Sequence, residues 1–467
     1  MPGAGGSFRR FTTHTRCEMN ETNEMNEINE INETHSLGSK PCLSCGEAAV
    51  GDPPRVGHAA PQVQAPIGTL REIVRRYGTP TYAYDLSRIA AQVDKLRTHL
   101  PPSVEILYSL KANPSLGLCG VLAQHGYGAD VASAGEILTA RAAGFPPNRL
   151  FVTGPDRSPP MLAELELLEG AVVSVDSPSE LRLLAGRGRP LRAILRLRPD
   201  FCSYATCSAG PDSRFGATLA DLPACREFVN TASIRVAGFH VFAGSQVLAA
   251  EGVIHHLRSG VDLAFRAAKL LGIRPEIIDL GGGFGVPYGP ADEELDIAAV
   301  GRELARLAEQ AAPARLVLEL GRYFVASAGW YLTTVLAEQT HHARRAVVVD
   351  GGTHQRGDMC GVGLRQKGYA PAVLEPRDEP VAPTDVLGCL SLPADVLLES
   401  AALPPLAIGD VLAFPNAGAY GFGAACWSFH AHPAPAEVAF EGATVRPLRL
   451  RRPVEAVLEN QLPWVTR

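Results

Sequence analysis

The chain has 467 residues, 46% of them hydrophobic and 20% charged, with 49 acidic side chains against 43 basic ones. That length suits two domains, or one large barrel with an addition, and supplies ample apolar side chains for a core. The slight acidic excess and ordinary hydrophobicity exclude a wholly disordered chain and a general nucleic-acid-binding surface. No stretch reaches the ~18 uninterrupted apolar residues of a spanning helix, and no apolar run follows Arg9, Arg10 and Arg16, so membrane insertion and export are not expected. Ten cysteines scattered along the chain lack the dense spacing of a disulfide scaffold, which predicts a reducing, cytoplasmic setting.

The first 64 residues read as a disordered tail, because residues 19–34 (MNETNEMNEINEINET) form an Asn-Glu repeat that cannot offset its ordering entropy. Met25, Ile28 and Ile31 recur every third residue and drift off a helical face. Cys42 and Cys45 form a CxxC, with Cys17 and His35 nearby, but structural zinc wants four ligands in tighter pairs, and no metal is assigned to the chain. Asn20 and Asn32 head N-x-T sequons, which are inert in a cytoplasmic protein. Residues 65–84, ending near the strand-like TPTYAYD, are expected to give a strand to a β domain.

From Leu86 to Trp330 short apolar runs alternate with amphipathic ones. Strands are predicted at 104–110, 128–132, 149–153, 171–175, 191–197, 234–240, 275–280 and 314–319, with helical spacing between them, as at 134–143, 177–186 and 293–311. Eight parallel strands predict a (β/α)8 barrel over residues 85–330, with a doubly wound open sheet as the rival. Beyond Trp330, β-branched runs separated by Gly and Pro, as at 345–352, 410–414 and 435–450, predict an all-β domain over residues 331–467.

Several motifs fall at the C-terminal ends of the predicted barrel strands, where barrel enzymes do chemistry. Lys111 in YSLKANP shares a strand face with Glu105, Leu107 and Ser109; it is either a solvated lysine before a turn or a desolvated amine suited to carbonyl chemistry. In IIDLGGGFGVPY, Gly281, Gly282, Gly283 and Gly285 make a tight turn or let backbone N–H groups converge on a phosphate. Val286 stands where a third dinucleotide-binding glycine would be. Glu319 and Arg322 in LVLELGRYF lie just past another strand and are spaced to pair with each other or to serve a ligand, while Ser245 and Tyr420 offer hydroxyls of the kind that complete a phosphate cradle.

Together these five ordered motifs resemble the fold-type III pyridoxal-phosphate decarboxylases, the group of diaminopimelate, ornithine and arginine decarboxylases, over about residues 66–455. The resemblance implies an alanine racemase-like barrel with a Greek-key-type β domain, and a homodimer in which the partner's β domain closes each site. It implies that Lys111 holds the aldehyde of pyridoxal 5'-phosphate, and that Ser245, Gly282, Gly283, Arg322 and Tyr420 grip the phosphate. Gly321 and Glu319 belong to ELGR, where the family usually has Pro in place of Leu320; Glu319 matches the acid that keeps the pyridine nitrogen protonated and the ring an electron sink. The fold-related racemases are expected to place an arginine there, so Glu319 favours decarboxylation over racemisation.

The sequence departs from the family in three places. Phe242 occupies the position of a ring-stacking histidine, with His240 two residues earlier. In GCLSLPAD, aligned on Gly388 and Asp395, Ser391 replaces the cysteine that returns a proton across the dimer interface, and Cys389 lies two residues before it on the same strand face. Leu392 stands where members that grip a distal ammonium commonly carry an acid. Residues 347–363 (VVVDGGTHQRGDMCGVG) and 415–438 look similar to the natural-product branch, whose members decarboxylate modified amino acids, including carrier-protein-bound ones. Diaminopimelate decarboxylation is the alternative within the same chemistry, with Arg214 or Arg356 meeting the distal carboxylate. A regulatory homologue without catalysis would have lost cofactor ligands, whereas Lys111, Glu319, Arg322 and Tyr420 are all present.

Overall fold

The computed structural model describes residues 64–187, 190–202, 210–341, 344–359 and 369–464. The Asn-Glu repeat, the CxxC and the sequons lie outside the described residues, and so does nearly all of the segment read as a disordered tail.

The described chain opens with helix α1 (Ile67–Tyr77), followed by strand β1 (Thr81–Asp85). Residues 65–84 thus give the β domain the expected strand, but its extent is corrected: most of the segment is helical. Leu70, Ile73 and Val74 recur at helical spacing, and the first two are buried against Trp330, Leu332 and Phe440 of the β domain. Asp85 then caps α2 (Leu86–His99), its carboxylate accepting from the Ser87 N–H at 3.0 Å.

The next eight strands are β2 (Glu105–Ser109), β3 (Gly128–Val131), β4 (Leu150–Val152), β5 (Val172–Val175), β6 (Leu191–Leu197), β7 (Ile234–Val241), β8 (Ile277–Asp279) and β9 (Arg315–Leu320). Each pairs in parallel with the next, and β9 pairs with β2, so the sheet closes and the open-sheet alternative falls away. The strand boundaries agree with the sequence reading to within two residues. Inside the barrel, Leu107, Phe151, Val172, Ile194, Ala237, Ile277 and Val317 form one layer drawn from every strand but β3. Gly128 leaves that place open, since a Cβ there would stand 2.6 Å from Leu107 Cδ2. A register shift between Ala193 and Ile194 against β7 falls beside Gly238, whose backbone approaches Ile277 more closely than a Cβ would permit.

The remaining eight strands join β1 in a nine-stranded, mostly antiparallel sheet. They are β10 (Gly329–His341), β11 (Arg344–Val349), β12 (Ala372–Val373), β13 (Ala382–Leu387), β14 (Val396–Leu403), β15 (Val411–Phe414), β16 (Ala436–Glu441) and β17 (Thr444–Arg449). The main path runs β14-β13-β11-β10-β1-β16-β17, so the strand that precedes the barrel lies at the heart of the sheet that follows it. Gly418, in the loop after β15, has its Cα where a Cβ would stand 1.7 Å from the Val325 carbonyl oxygen. That close approach carries Tyr420 to the barrel mouth, where its N–H donates to the Ala112 carbonyl at 2.7 Å. Among the described residues no helix is long and apolar enough to cross a membrane.

Candidate active site

One cavity opens at the C-terminal ends of the barrel strands, and its lining includes Lys111, Phe242, Ser245, Gly282, Gly283, Glu319, Gly321, Arg322 and Tyr420. Residues spread over 310 positions of sequence are thus gathered in one place, because β2, β7, β8 and β9 all end there.

Lys111 is not on β2 itself. The strand ends at Ser109, and residues Leu110–Ala112 turn through a 3-10 helix that aims the amine across the mouth. Its Nζ lies 3.4 Å from Asp130 Oδ2. Asp130 is buried at the end of β3 and also accepts from Ser109 Oγ and Thr153 Oγ1, each at 2.5 Å. Burial alone would push the Lys111 ammonium down, but the carboxylates of Asp130 and Glu319 outweigh it and the net shift is upward. The two carboxylates therefore favour the ammonium form of Lys111. Behind Lys111, Asn113 ties the turn to the β domain, its Nδ2 donating to the Gly418 carbonyl at 2.9 Å.

Glu319 and Arg322 do not pair with each other. The Arg322 guanidinium donates to Tyr288 Oη at 2.8 Å and lies over the Tyr420 ring at 4.7 Å, and its buried Nε has no hydrogen-bond partner. Around it Gly281 and Gly283 adopt positive φ of 62° and 96°, so the glycine run is a genuine left-handed turn as well as one wall of the cavity. Phe242 packs on that turn, close to where a Gly281 Cβ would lie.

Glu319 sits in a buried polar layer under the mouth. Its Oε2 is 3.9 Å from Nε2 of His240, whose Nδ1 meets Ser174 Oγ at 3.0 Å. Asp279 completes the layer, with Oδ1 accepting from the Gly281 N–H at 2.8 Å. Burial, with the positive charges of Arg196 and Lys111 adding to it, drives the His240 imidazolium well down, so His240 is neutral. Burial and the negative charges of Asp130 and Asp279 push Glu319 well up, and burial lifts Asp279 to about 7. Glu319 Oε1 and Asp279 Oδ2 have no donor while both groups are ionised; one proton shared between the two carboxyls supplies it.

This pair has a consequence for stability. A carboxyl whose pKa is raised on folding binds its proton more tightly in the folded state, so stability falls as pH rises from the ordinary value of 3.8 through about 7. Asp279→Asn keeps the oxygen that accepts from Gly281 and removes the charge. The cofactor-stripped variant is expected to show a flatter dependence of Tm on pH over that window; an unchanged slope would assign the pH dependence elsewhere.

Several unpartnered polar atoms face this region: Glu319 Oε1, His240 Nε2 and Arg322 Nε. A ligand with an anionic end, a carbonyl and a basic ring nitrogen would give Arg322 and Glu319 their missing partners, with the anion at Arg322, Ser245 and the glycine turn, the carbonyl at Lys111 and the nitrogen at Glu319. The residues present fit pyridoxal phosphate.

Other sequence-nominated residues lie outside this cavity. Ser391 and Leu392 are exposed on the loop after β13, and neither lines the cavity. Asp395 in the same loop is buried and bonds the Thr353 and Leu390 N–H groups at 2.7 and 2.9 Å. Arg356 is buried in a two-point pair with Asp358, at 2.9 and 2.6 Å, under the rings of Tyr331 and Phe414. Cys389 faces its own chain, 3.8 Å from His432 Nε2. Asp130, Asp279 and Tyr288 were not singled out from the sequence. The first two carried a readable signal, since an acid at the end of an otherwise apolar barrel strand is seldom buried without a task.

A family model described as "Pyridoxal-dependent decarboxylase, pyridoxal binding domain" matches residues 86–326. An L-glutamyl-[BtrI acyl-carrier protein] decarboxylase of Niallia circulans is 30% identical over 410 residues, 84% of this chain and 95% of that protein. A diaminopimelate decarboxylase of Methanothermobacter thermautotrophicus is 31% identical over 405 residues, 84% of this chain and 93% of that one. Among solved structures, diaminopimelate decarboxylase from Helicobacter pylori complexed with L-lysine superposes with a TM-score of 0.74 at 27% identity, covering 83% of this chain and 98% of that one.

The fold is that of an alanine racemase-like barrel enzyme that works with pyridoxal phosphate. The chain belongs to the pyridoxal-dependent decarboxylases, and its reaction is the decarboxylation of an amino acid.

Proposed function

We propose that this enzyme decarboxylates an α-amino acid whose far end carries no free charge, one that is amidated, acylated or held as a thioester on a carrier protein. The observation that carries this reading is the condition of the loop over residues 388–395. Its one carboxylate, Asp395, is buried and occupied by Thr353 and Leu390, while Ser391 and Leu392 stand exposed. A distal ammonium brought against this loop would lose water and gain no partner, a cost of roughly several kcal/mol. The glutamyl carrier-protein decarboxylase among the relatives supports the same substrate class.

The reading includes a homodimer. Within one chain neither Ser391 nor Leu392 lines the cavity around Lys111; in the shared site that the family resemblance implies, those of the partner subunit would close it. Diaminopimelate is the second reading, supported by the relatives of that name. Its distal carboxylate would need a free cation. Arg356 is already committed to Asp358, which leaves exposed Arg214, stacked over Phe215 at 4.5 Å.

In this reading Lys111 would hold the cofactor's carbonyl carbon, and Arg322, Ser245 and the glycine turn would hold its phosphate. Bound pyridoxal phosphate supplies the electron sink that accepts the pair left on Cα when CO2 departs. The Glu319 carboxylate would accept from the protonated ring nitrogen, while neutral His240 and Asp279, which keeps the proton of the pair, hold that carboxylate oriented beneath the mouth. Phe242 would cover the ring face, and Ser391 of the partner subunit would orient a water to return the proton to Cα, an alcohol being too weak an acid to do so itself. The presence of Lys111, Glu319, Arg322 and Tyr420 in one cavity weighs against a purely regulatory homologue.

The test is a change of specificity. Leu392→Glu supplies the missing carboxylate and is expected to raise kcat/KM for free ornithine relative to its side-chain amide by about 10- to 100-fold. An unchanged ratio would remove Leu392 from the substrate pocket.

A further inference from the structure

Away from the barrel mouth, three side chains of the β domain converge. His354 lies just after β11, Cys389 in the loop after β13, and His432 in the segment leading to β16. Their ligand atoms all lie within 4.8 Å of one another, with Cys389 Sγ 3.8 Å from His432 Nε2. His354 is 2% exposed, and neither of its ring nitrogens has a hydrogen-bond partner. Its ring meets that of His432 at 5.0 Å between centroids, a contact that fills space but satisfies neither nitrogen.

We propose that His354, Cys389 and His432 form a three-ligand site for a zinc-class divalent cation, with the fourth position open to solvent. Two imidazoles and a thiolate are the donor set that such ions select. Around a tetrahedral zinc the ligand atoms stand about 3.3–3.7 Å apart, as bond lengths of ~2.1 Å to nitrogen and ~2.3 Å to sulfur dictate, so the observed cluster needs only a small inward turn of its side chains. Cys389 and His432 are only partly buried, which gives the ion an entry path and leaves room for a water ligand.

The neighbours of each ligand are already fixed, as a built site requires. Asp395 accepts from Thr353 N–H at 2.7 Å, Thr353 Oγ1 at 2.8 Å and Leu390 N–H at 2.9 Å, holding the residues adjacent to His354 and Cys389 on one carboxylate. The Cys389 N–H donates to the Gly351 carbonyl at 3.0 Å. Gln355 donates to the Pro433 carbonyl at 3.4 Å beside His432, and itself accepts from Tyr331 Oη at 2.7 Å. A cation here would join three separate segments and hold the loop that bears Ser391 and Leu392. The site does not depend on the substrate proposed above.

The experiment uses untagged full-length holoenzyme carrying Cys42→Ser and Cys45→Ser, so that the N-terminal CxxC takes up no metal. The protein is loaded with Zn2+, dialysed, and its zinc counted by elemental analysis; Co2+ loading then reports thiolate coordination through its charge-transfer absorbance. One zinc per chain is expected in this parent. It should be lost in Cys389→Ser, in His354→Ala and in His432→Ala, and kept in Glu319→Gln, which disrupts the other buried acid–histidine cluster. Circular dichroism of each variant in chelator, matched to the parent in chelator, separates loss of metal from loss of fold. A folded parent that takes up no zinc, or zinc retained alike in the folded Cys389→Ser and His354→Ala variants, would overturn the assignment.

Discussion

Lys111→Ala is expected to abolish decarboxylation and the visible absorbance of lysine-bound cofactor together. The side chain leaves the barrel on a 3-10 turn whose geometry is set independently, by Asn113 reaching the Gly418 carbonyl and by Tyr420 N–H meeting the Ala112 carbonyl. Removing the amine should therefore leave the fold intact. It also removes the charge that Asp130 faces, but Asp130 keeps its bonds to Ser109 and Thr153. Loss of the covalent attachment and of the amine that hands over to substrate should lower turnover by at least about 10³-fold. Borohydride reduction of native protein should fix the cofactor at Lys111, and a reducible adduct in Lys111→Ala at another active-site lysine would move the assignment.

Glu319→Gln is expected to lower kcat by about 10²- to 10³-fold with cofactor retained, the range for loss of one preorganised charge-stabilising group. The amide preserves size and a hydrogen bond but cannot hold a ring nitrogen protonated. It also removes the carboxyl that Asp279 is coupled to, while the burial that lifts Asp279 is unchanged. The phosphate would be held by other groups, Arg322, Ser245 and the glycine turn, and the substitution leaves the Glu319 backbone that packs on that turn unchanged, which is why binding should survive. A variant with unchanged kcat would show that electron withdrawal does not run through Glu319.

The barrel was legible because parallel strands buried on both faces read as apolar runs, and each run ended at a recognisable breaker: Asn113-Pro114 after β2, the glycines after β8, Gly321 after β9. Helix α1 was missed because TPTYAYD drew the whole segment into one strand, although Leu70 and Ile73 carry helical spacing. Lys111, Glu319, Arg322 and Tyr420 could be gathered from sequence because each sits in a short motif. Asp130, Asp279 and Tyr288 act through neighbours in space: Asp130 stands opposite Ser109 in the barrel, a register that no local pattern reveals. The His354–Cys389–His432 cluster was hidden for the same reason, since its members come from three loops of the β domain, and the sequence reading assigned no metal.

The most direct test of the substrate reading is CO2 release by native enzyme offered, in competition, free lysine, free ornithine, meso-diaminopimelate and a glutamyl thioester on a carrier protein or its small-molecule mimic. The account predicts that the blocked glutamyl substrate has the highest kcat/KM, exceeding the free diamino acids by orders of magnitude, because no carboxylate on the loop over residues 388–395 is free to meet an ammonium. Efficient turnover of free ornithine or lysine would contradict it.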